Sequence, residues 1–319
     1  MKTYENLHIL LLKGGDGSER KVSLNTAIEC AKAIKQIGCK ITEVDIAECN
    51  ISCLSKINAD ICFNALHGDY GEDGSIQGFL NLLKIPYTHS GVAASSIAMN
   101  KINFKRIITK ATMFSKDPIY FPKTLQIKNN GKNLVVDYDN TFVVKPIKGG
   151  SSVGVKIIKN GNKISYIDEL NNKQLMAEKF VGSKELTVTV LKENPLCVTE
   201  ITTLNDKEFY NYKAKYDKNG SSHKIPADIP KVIYKKALSW ALKAHKIIGC
   251  RGISRTDFRY DENNEKLYML ELNTQPGMTQ TSLSPEQAAH CGININDMIK
   301  TLLEAVSYTH LTLPTILRV

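Results

Sequence analysis

Apolar positions fall into two different periods along this chain. A continuous apolar block, Leu7–Leu12, comes first, and His8–Leu12 reads as a buried strand. After a glycine-rich turn, Val22–Ile37 shows helical spacing, with Ala27, Ala31 and Ile34 on one stripe and Gly38 just past the end. Ile41–Ile46 reads as a second strand and Ile61–Leu66, an apolar run, as a third. Strand, helix and strand in this order predict a βαβ unit in an open α/β sheet, with ligand groups at the strand ends.

The pattern changes near Asn100. Pro118, Pro122 and Pro146 punctuate short strands, among them Phe142–Lys145 and, after a Gly-Ser loop, Val153–Ile158. A further region runs from about Glu185 to Val306. Within it, Gly252–Tyr260 and Lys266–Asn273 flank the turn-rich segment Asp261–Glu265 and read as a β-hairpin. Residues two apart share a strand face. Arg255 therefore sides with Asp257, Glu271 sides with Asn273, and closing the hairpin brings Asp257 near Glu271. The same count sets Leu267 and Met269 beside Glu271. Ile295–Val306 spaces its apolar residues as an amphipathic helix, whereas Ser307–Val319 carries no pattern that docks. The divisions expected are 1–99, 100–184 and 185–306, with 307–319 an unstructured or foreign tail. No internal repeat of fixed period is present.

Composition narrows the class. With 42% hydrophobic and 23% charged residues, the 319-residue chain has the balance of a globular protein of two or three lobes. The opening apolar block is too short to span a bilayer and lacks a small-residue cleavage site, so neither a membrane anchor nor a leader is expected. Eight cysteines occur without a C-x-x-C pair or zinc-ligand spacing, which reads as reduced core thiols in a cytoplasmic protein. Lys and Arg exceed Asp and Glu by 42 to 32, for a net charge of +10. The basic residues are scattered and not interleaved with aromatics, so an anionic small molecule is expected rather than nucleic acid.

Four segments carry candidate chemistry. In Lys145–Gly154 a lysine ends a strand and a Gly-Ser loop follows, where backbone N–H groups could approach phosphate oxygens. By itself such a loop is more often a plain hairpin turn, and it is not a Walker loop. Asp257, Glu271 and Asn273 form either a solvated hairpin face or an all-oxygen donor set of the kind Mg²⁺ takes, and the apolar Leu267 and Met269 expected beside Glu271 favour the second. The turn Thr274–Leu283 directly follows, with N–H groups and hydroxyls available to a carboxylate or an oxyanion. At Gly14–Ser23, Asp16 and Glu19 disfavour phosphate. Glu19 is either a partner for a substrate ammonium or an acidic residue favoured by a helix dipole.

These segments, in this order, resemble the D-alanine–D-alanine ligases over residues 7 to 306. The resemblance rests on Ser18-Glu19-Arg20-x-Val22-Ser23, His67-Gly68-x-Tyr70-Gly71-Glu72-Asp73-Gly74, Tyr87-Thr88-x-Ser90-Gly91, Gly150-Ser151-Ser152-Val153-Gly154, Tyr212-x-x-Lys215-Tyr216 and Glu271-x-Asn273-Thr274-x-Pro276-Gly277-Met278-Thr279. It implies an α+β ATP-grasp enzyme: an N-terminal open parallel α/β sheet followed by two ATP-grasp lobes with ATP between them. ATP would be held by Lys101, Lys145, Ser151, Ser152 and Lys215, with Glu178, Lys179, Phe180, Val181 and Glu185 at adenine and ribose. Two Mg²⁺ (or Mn²⁺) ions would sit on Asp257, Glu271 and Asn273. Glu19, Val22 and His67 would receive the first D-alanine, and Ser282 and Leu283 the carboxylate of the second. Arg255 and the Gly277 N–H would stabilise the oxyanion. Tyr216, Ser151 and Glu19 would form a hydrogen-bonded trio joining a lid to the site.

Two positions depart from the family's habit: Phe180 stands where Trp is common, and Gly149 where an acidic residue is often found. The resemblance further implies a cytoplasmic homodimer that makes D-alanyl-D-alanine for peptidoglycan through a D-alanyl phosphate. Relatives accepting D-lactate or D-serine second, and a silent nucleotide binder, are the rival readings.

Overall fold

The computed structural model describes residues 4, 7–49, 51–129, 133–159, 164–165, 174–203 and 220–310. In chain order they begin with β1 (His8–Lys13), α1 (Arg20–Gln36), β2 (Lys40–Asp45), a 3-10 turn (Ile51–Lys56), β3 (Ile61–Asn64), α2 (Ser75–Leu82), α3 (Val92–Met99) and α4 (Lys101–Thr112). Short strands follow: β4 (Thr124–Leu125), β5 (Ile127–Asn129), β6 (Asn133–Val136), β7 (Phe142–Pro146), β8 (Lys156–Ile158), β9 (Ile164–Ser165) and β10 (Leu175–Lys179). Last come β11 (Lys184–Leu191), β12 (Asn194–Thr203), β13 (Ser221–Lys224), α5 (Lys231–Ile248), β14 (Ile253–Asp261), β15 (Lys266–Asn273), α6 (Leu283–His290) and α7 (Ile295–His310).

The first sheet is parallel, with order β2-β1-β3. Its central strand is buried on both faces, which is why it reads as an unbroken apolar run. Ile9 and Leu11 pack with Ala27, Ala31 and Ile34 of α1 and with Ile299 and Leu302 of α7. Leu10 and Leu12 pack on the other side with Ile76 and Leu80 of α2. β3 stops at Asn64, two residues before the expected end, because the Asn64 carboxamide oxygen accepts the Leu66 N–H and turns the chain.

Two antiparallel sheets complete the architecture, β4-β10-β7-β8 and β13-β12-β11-β14-β15, with a small β5-β6-β9 sheet beside the first. The five-stranded sheet buries one face against α5 and also against α4 and α3, through Trp240, Phe104, Ile108 and Ala98. The expected α/β class, an open parallel sheet followed by two antiparallel lobes, is the one observed.

Three local expectations differ. Helix α7 reaches His310 rather than Val306, and 311–319 lie outside the described residues. The strand expected from Val153 begins at Lys156, since Ser151, Ser152 and Gly154 hold positive φ and keep the loop in turns. Cys30, Cys39, Cys62 and Cys197 are buried thiols as expected, but Cys49 and Cys53 are joined as a disulfide. The 3-10 turn folds back after β2 and brings their Cα atoms to 6.8 Å, so the expectation that every cysteine is reduced is corrected. Among the described residues, no helix is long and apolar enough to cross a membrane.

Candidate active site

A cleft of about 810 Å³ opens between the two antiparallel sheets. β7 carries Lys145 into it and the neighbouring β10 carries Glu178, whose carboxylate takes Lys145 Nζ at 2.8 Å and Lys105 Nζ at 2.8 Å. Burial pushes the Glu178 carboxyl upward, but the charges and hydrogen bonds of Lys145 and Lys105 outweigh it and hold the group below its ordinary value. Lys101, at the start of α4, donates to the Gly149 carbonyl at 2.7 Å and lies 3.3 Å from Glu271. Ser152, Lys179, Phe180, Val181 and Glu185 line the same cleft. The predicted nucleotide contacts Lys101, Lys145, Glu178, Lys179 and Glu185 thus share one space with the Gly-Ser loop, where cationic and anionic side chains line an otherwise apolar cleft.

A second pocket of about 790 Å³ adjoins the first and holds Glu19, Val22, His67, Ser151, Arg255, Gly277, Ser282 and Leu283. Glu19 stands at the first position before α1, buried and with no capping bond from its side chain, and Ser151 of the Gly-Ser loop donates its hydroxyl to it. Two of the expected trio therefore touch; Tyr216 and Lys215 lie outside the described residues. Gly68, at φ +72°, passes so close that a Cβ there would stand 2.6 Å from a Glu19 oxygen, so the turn after His67 needs glycine. His67 is fixed at both ring nitrogens, Nδ1 by Glu72 and Nε2 by the Thr26 hydroxyl, each at 3.0 Å. Ser282 bonds Thr279 N at 3.1 Å and leads into α6, where Leu283 is buried.

The hairpin forms as expected and pairs Asp257 with Glu271 and Arg255 with Asn273. Its faces do not follow a simple count. A β-bulge adds Leu270 between the Asp257–Glu271 and Phe258–Met269 pairs. Leu267, Met269 and Leu272 therefore enter the core while Glu271 faces the pockets, which corrects the shared face expected for Leu267, Met269 and Glu271. Arg255 forms a two-pronged pair with Asp257 at 2.9 and 2.8 Å, and Thr187 donates to the same carboxylate at 2.6 Å. Asn273 accepts the Gln275 N–H at 2.7 Å. Two carboxylates and an amide oxygen on adjacent strands, beside two cationic side chains, make a hard donor set that fits a divalent cation.

Sequence reasoning missed Lys105, Thr26, Gln275 and Arg259. Arg259 was legible in part: Arg255, Asp257 and Arg259 alternate with buried Thr256, Phe258 and Tyr260, so all three project from one face of β14. The others act through contacts distant in sequence, which no local spacing reports.

Two antiparallel sheets closing on one cleft, joined to a parallel sheet that brings a carboxylate to the cleft's edge, define an ATP-grasp ligase. The family descriptions "D-ala D-ala ligase N-terminus" and "D-ala D-ala ligase C-terminus" match residues 50–90 and 123–304. A D-alanine–D-alanine ligase of Ruegeria sp. strain TM1040 is 43% identical, over 94% of this chain and 96% of its own. Crystal structures of a Bacillus anthracis D-alanine–D-alanine ligase, one complexed with ATP, align with TM-scores of 0.77 and 0.76 at 28% and 25% identity. Each alignment covers 96% of this chain and 99% of that one. The chain belongs to the D-alanine–D-alanine ligase family.

Proposed function

We propose that this ligase joins two D-alanine molecules into D-alanyl-D-alanine for peptidoglycan synthesis, converting ATP to ADP and phosphate, and that it works in the cytoplasm as a homodimer. The observation that carries the reading is the meeting of Glu19 from the start of α1, Ser151 from the Gly-Ser loop and Arg255 from the hairpin in one pocket next to the lysine-bearing cleft.

A carboxylate is a poor acyl donor because its oxygen leaves badly. ATP bound in the cleft, with its phosphates toward Lys101, Lys145 and the Gly-Ser loop, transfers its terminal phosphoryl group to the first D-alanine carboxylate, and ADP departs. Glu19 holds that alanine's ammonium, beside His67 and Val22. The amine of the second D-alanine attacks the resulting acyl phosphate. Arg255 and the Gly277 N–H face the oxyanion that forms, and phosphate leaves as the amide is made. Ser282 and the start of α6 receive the second carboxylate, where a helix N-terminus favours negative charge. Asp257, Glu271 and Asn273 would hold Mg²⁺ or Mn²⁺, whose chemistry is neutralisation of phosphate charge. Lys215 and Tyr216 complete the ATP and lid contacts in this reading.

The test is phosphate release from ATP with Mg²⁺, with D-alanine, L-alanine or no amino acid, and product identification by mass. D-alanine-dependent release with a D-alanyl-D-alanine mass is expected. Release that is absent from folded, ATP-binding protein overturns the reading, and a mixed product with added D-lactate or D-serine redirects it to a rival acceptor.

A further inference from the structure

The chain passes from the four-stranded sheet to the five-stranded sheet through Phe180–Ser183, between the end of β10 and the start of β11. These residues form a crossover between the two walls of the cleft, and its conformation bears on how the walls stand to each other. Glu262 takes the Ser183 hydroxyl at 2.7 Å at its far end, and Arg259 grips its middle. Arg259 projects from β14, beside β11, and its guanidinium donates to the Gly182 carbonyl at 2.8 Å and to the Val181 carbonyl at 3.2 Å. The same group lies 5.0 Å from the centre of the Phe180 ring and 3.2 Å from a Glu185 oxygen. Both members of the Arg259–Glu185 pair are largely shielded, at 12% and 14% exposure. Gly182 seals the arrangement: at φ +68° it lies against the Tyr260 backbone, where a Cβ would stand 2.7 Å from the carbonyl oxygen.

We propose that Arg259 is a positioning residue for the nucleotide, locking the crossover between the two sheets and holding Glu185 at a fixed place in the cleft. The proposal rests on the reading of this cleft as the ATP site. The planar fork suits the task because one guanidinium serves two carbonyls, a carboxylate and a ring face at once, which a lysine ammonium does not. Phe180, Val181 and Arg259 line the cleft alone, while Glu185 borders both spaces, so a change at Arg259 is felt first by base and ribose and reaches the alanine pocket only through Glu185. With Glu185 held in place, an acceptor is fixed for a ribose hydroxyl. Loss of Arg259 therefore weakens discrimination between ATP and 2′-deoxy-ATP as well as affinity.

The experiment compares the full-length wild type with Arg259→Met and Arg259→Lys in D-alanine-dependent ADP formation. Expected for Arg259→Met are a rise of about tenfold or more in KM for ATP, as loss of charged hydrogen bonds implies, KM for D-alanine within about twofold, and a ratio of kcat/KM for ATP over 2′-deoxy-ATP that falls toward one. Arg259→Lys lies between the two. A general loss of structure would lower kcat or shift both KM values together, leaving the nucleotide ratio intact, and that result overturns the proposal. So does a KM for ATP unchanged in either variant. If Arg259→Met does not fold, the Lys variant decides by the same readings. A wild type without D-alanine-dependent turnover refutes the function itself, whereas an active wild type with indifferent variants refutes only the role of Arg259.

Discussion

Asn64 and Gln275, 211 residues apart, meet as a reciprocal amide pair: the Asn64 carboxamide donates to Gln275 Oε1 at 2.8 Å, and Gln275 Nε2 donates back to the Asn64 carbonyl at 3.1 Å. Gln275 also donates to the Leu66 carbonyl, and Asn64 to the Gly71 carbonyl at 3.0 Å. Both amides are almost fully buried. The pair thus ties the loop bearing His67 and Glu72 to the turn between Asn273 and Gly277. Gln275→Leu leaves buried donors and acceptors unpaired, at a cost of about 1–3 kcal/mol for each. The expected outcome is a melting temperature lowered by several degrees, with Asn64→Leu/Gln275→Leu losing less than the sum of the single changes. Strict additivity in a double-mutant cycle would contradict the coupling.

Two buried histidines make stability sensitive to mild acid. Burial, with the charges of His67 and Arg251 adding, pushes His89 down to about 3, and burial pushes His245 down to about 4. Both folded values lie below the ordinary 6.5, so the unfolded chain takes up protons first as pH falls. Their effect is absent above about pH 6.5 and grows as pH drops toward 4, to at most about 3 kcal/mol for His245. Urea midpoints should hold steady from pH 8 to 7 and decline between 6.5 and 5. His245→Gln should flatten that decline, and an equal slope in the variant would assign it to other groups.

The parts of the fold set by unbroken local pattern were legible in the chain. The buried β1, the Ala27–Ala31–Ile34 stripe of α1 and the β14–β15 pairing all follow from apolar period and turn residues. Counting by twos failed across the bulge at Leu270, because an inserted residue shifts every later side chain to the other face and has no composition of its own. Site motifs were visible as short strings, but Lys105 was not, since its meaning lies in a Glu178 that is 73 residues away. The Cys49–Cys53 pairing likewise depends on a 3-10 turn that spacing alone does not announce.

Glu19 tests the alanine pocket. Its carboxylate takes the Ser151 hydroxyl and faces the pocket beside Gly68. Glu19→Gln keeps the shape and removes the charge that would hold an ammonium. Loss of one charged hydrogen bond is worth about 1.5–3 kcal/mol, so kcat/KM for D-alanine should fall by roughly 10- to 100-fold. The affinity for ATP, measured by calorimetry without D-alanine, should change little. A matching loss in ATP affinity would mean that Glu19 shapes the Gly-Ser loop and does not read the amino acid.

The donor set on the hairpin makes the last prediction. Asp257 and Glu271 are neighbours across the strands, and each already faces a cation, Arg255 at 2.8 Å and Lys101 at 3.3 Å. Those pairs offset the repulsion between two carboxylates, but an ammonium and a guanidinium cannot do what a divalent ion does, which is to bind carboxylate and phosphate oxygens together in one close shell. Excess chelator should therefore stop D-alanine-dependent ADP formation without unfolding the protein, and added Mg²⁺ or Mn²⁺ should restore it. Glu271→Gln should raise the metal concentration for half-maximal rate by about tenfold, since one charged ligand contact is weakened. Asn273→Ala should act in the same direction by less, because a neutral oxygen contributes less to a divalent ion. Turnover that persists in chelator, or a Glu271→Gln enzyme with an unaltered metal requirement, would leave these oxygens as partners of Lys101 and Arg255 alone.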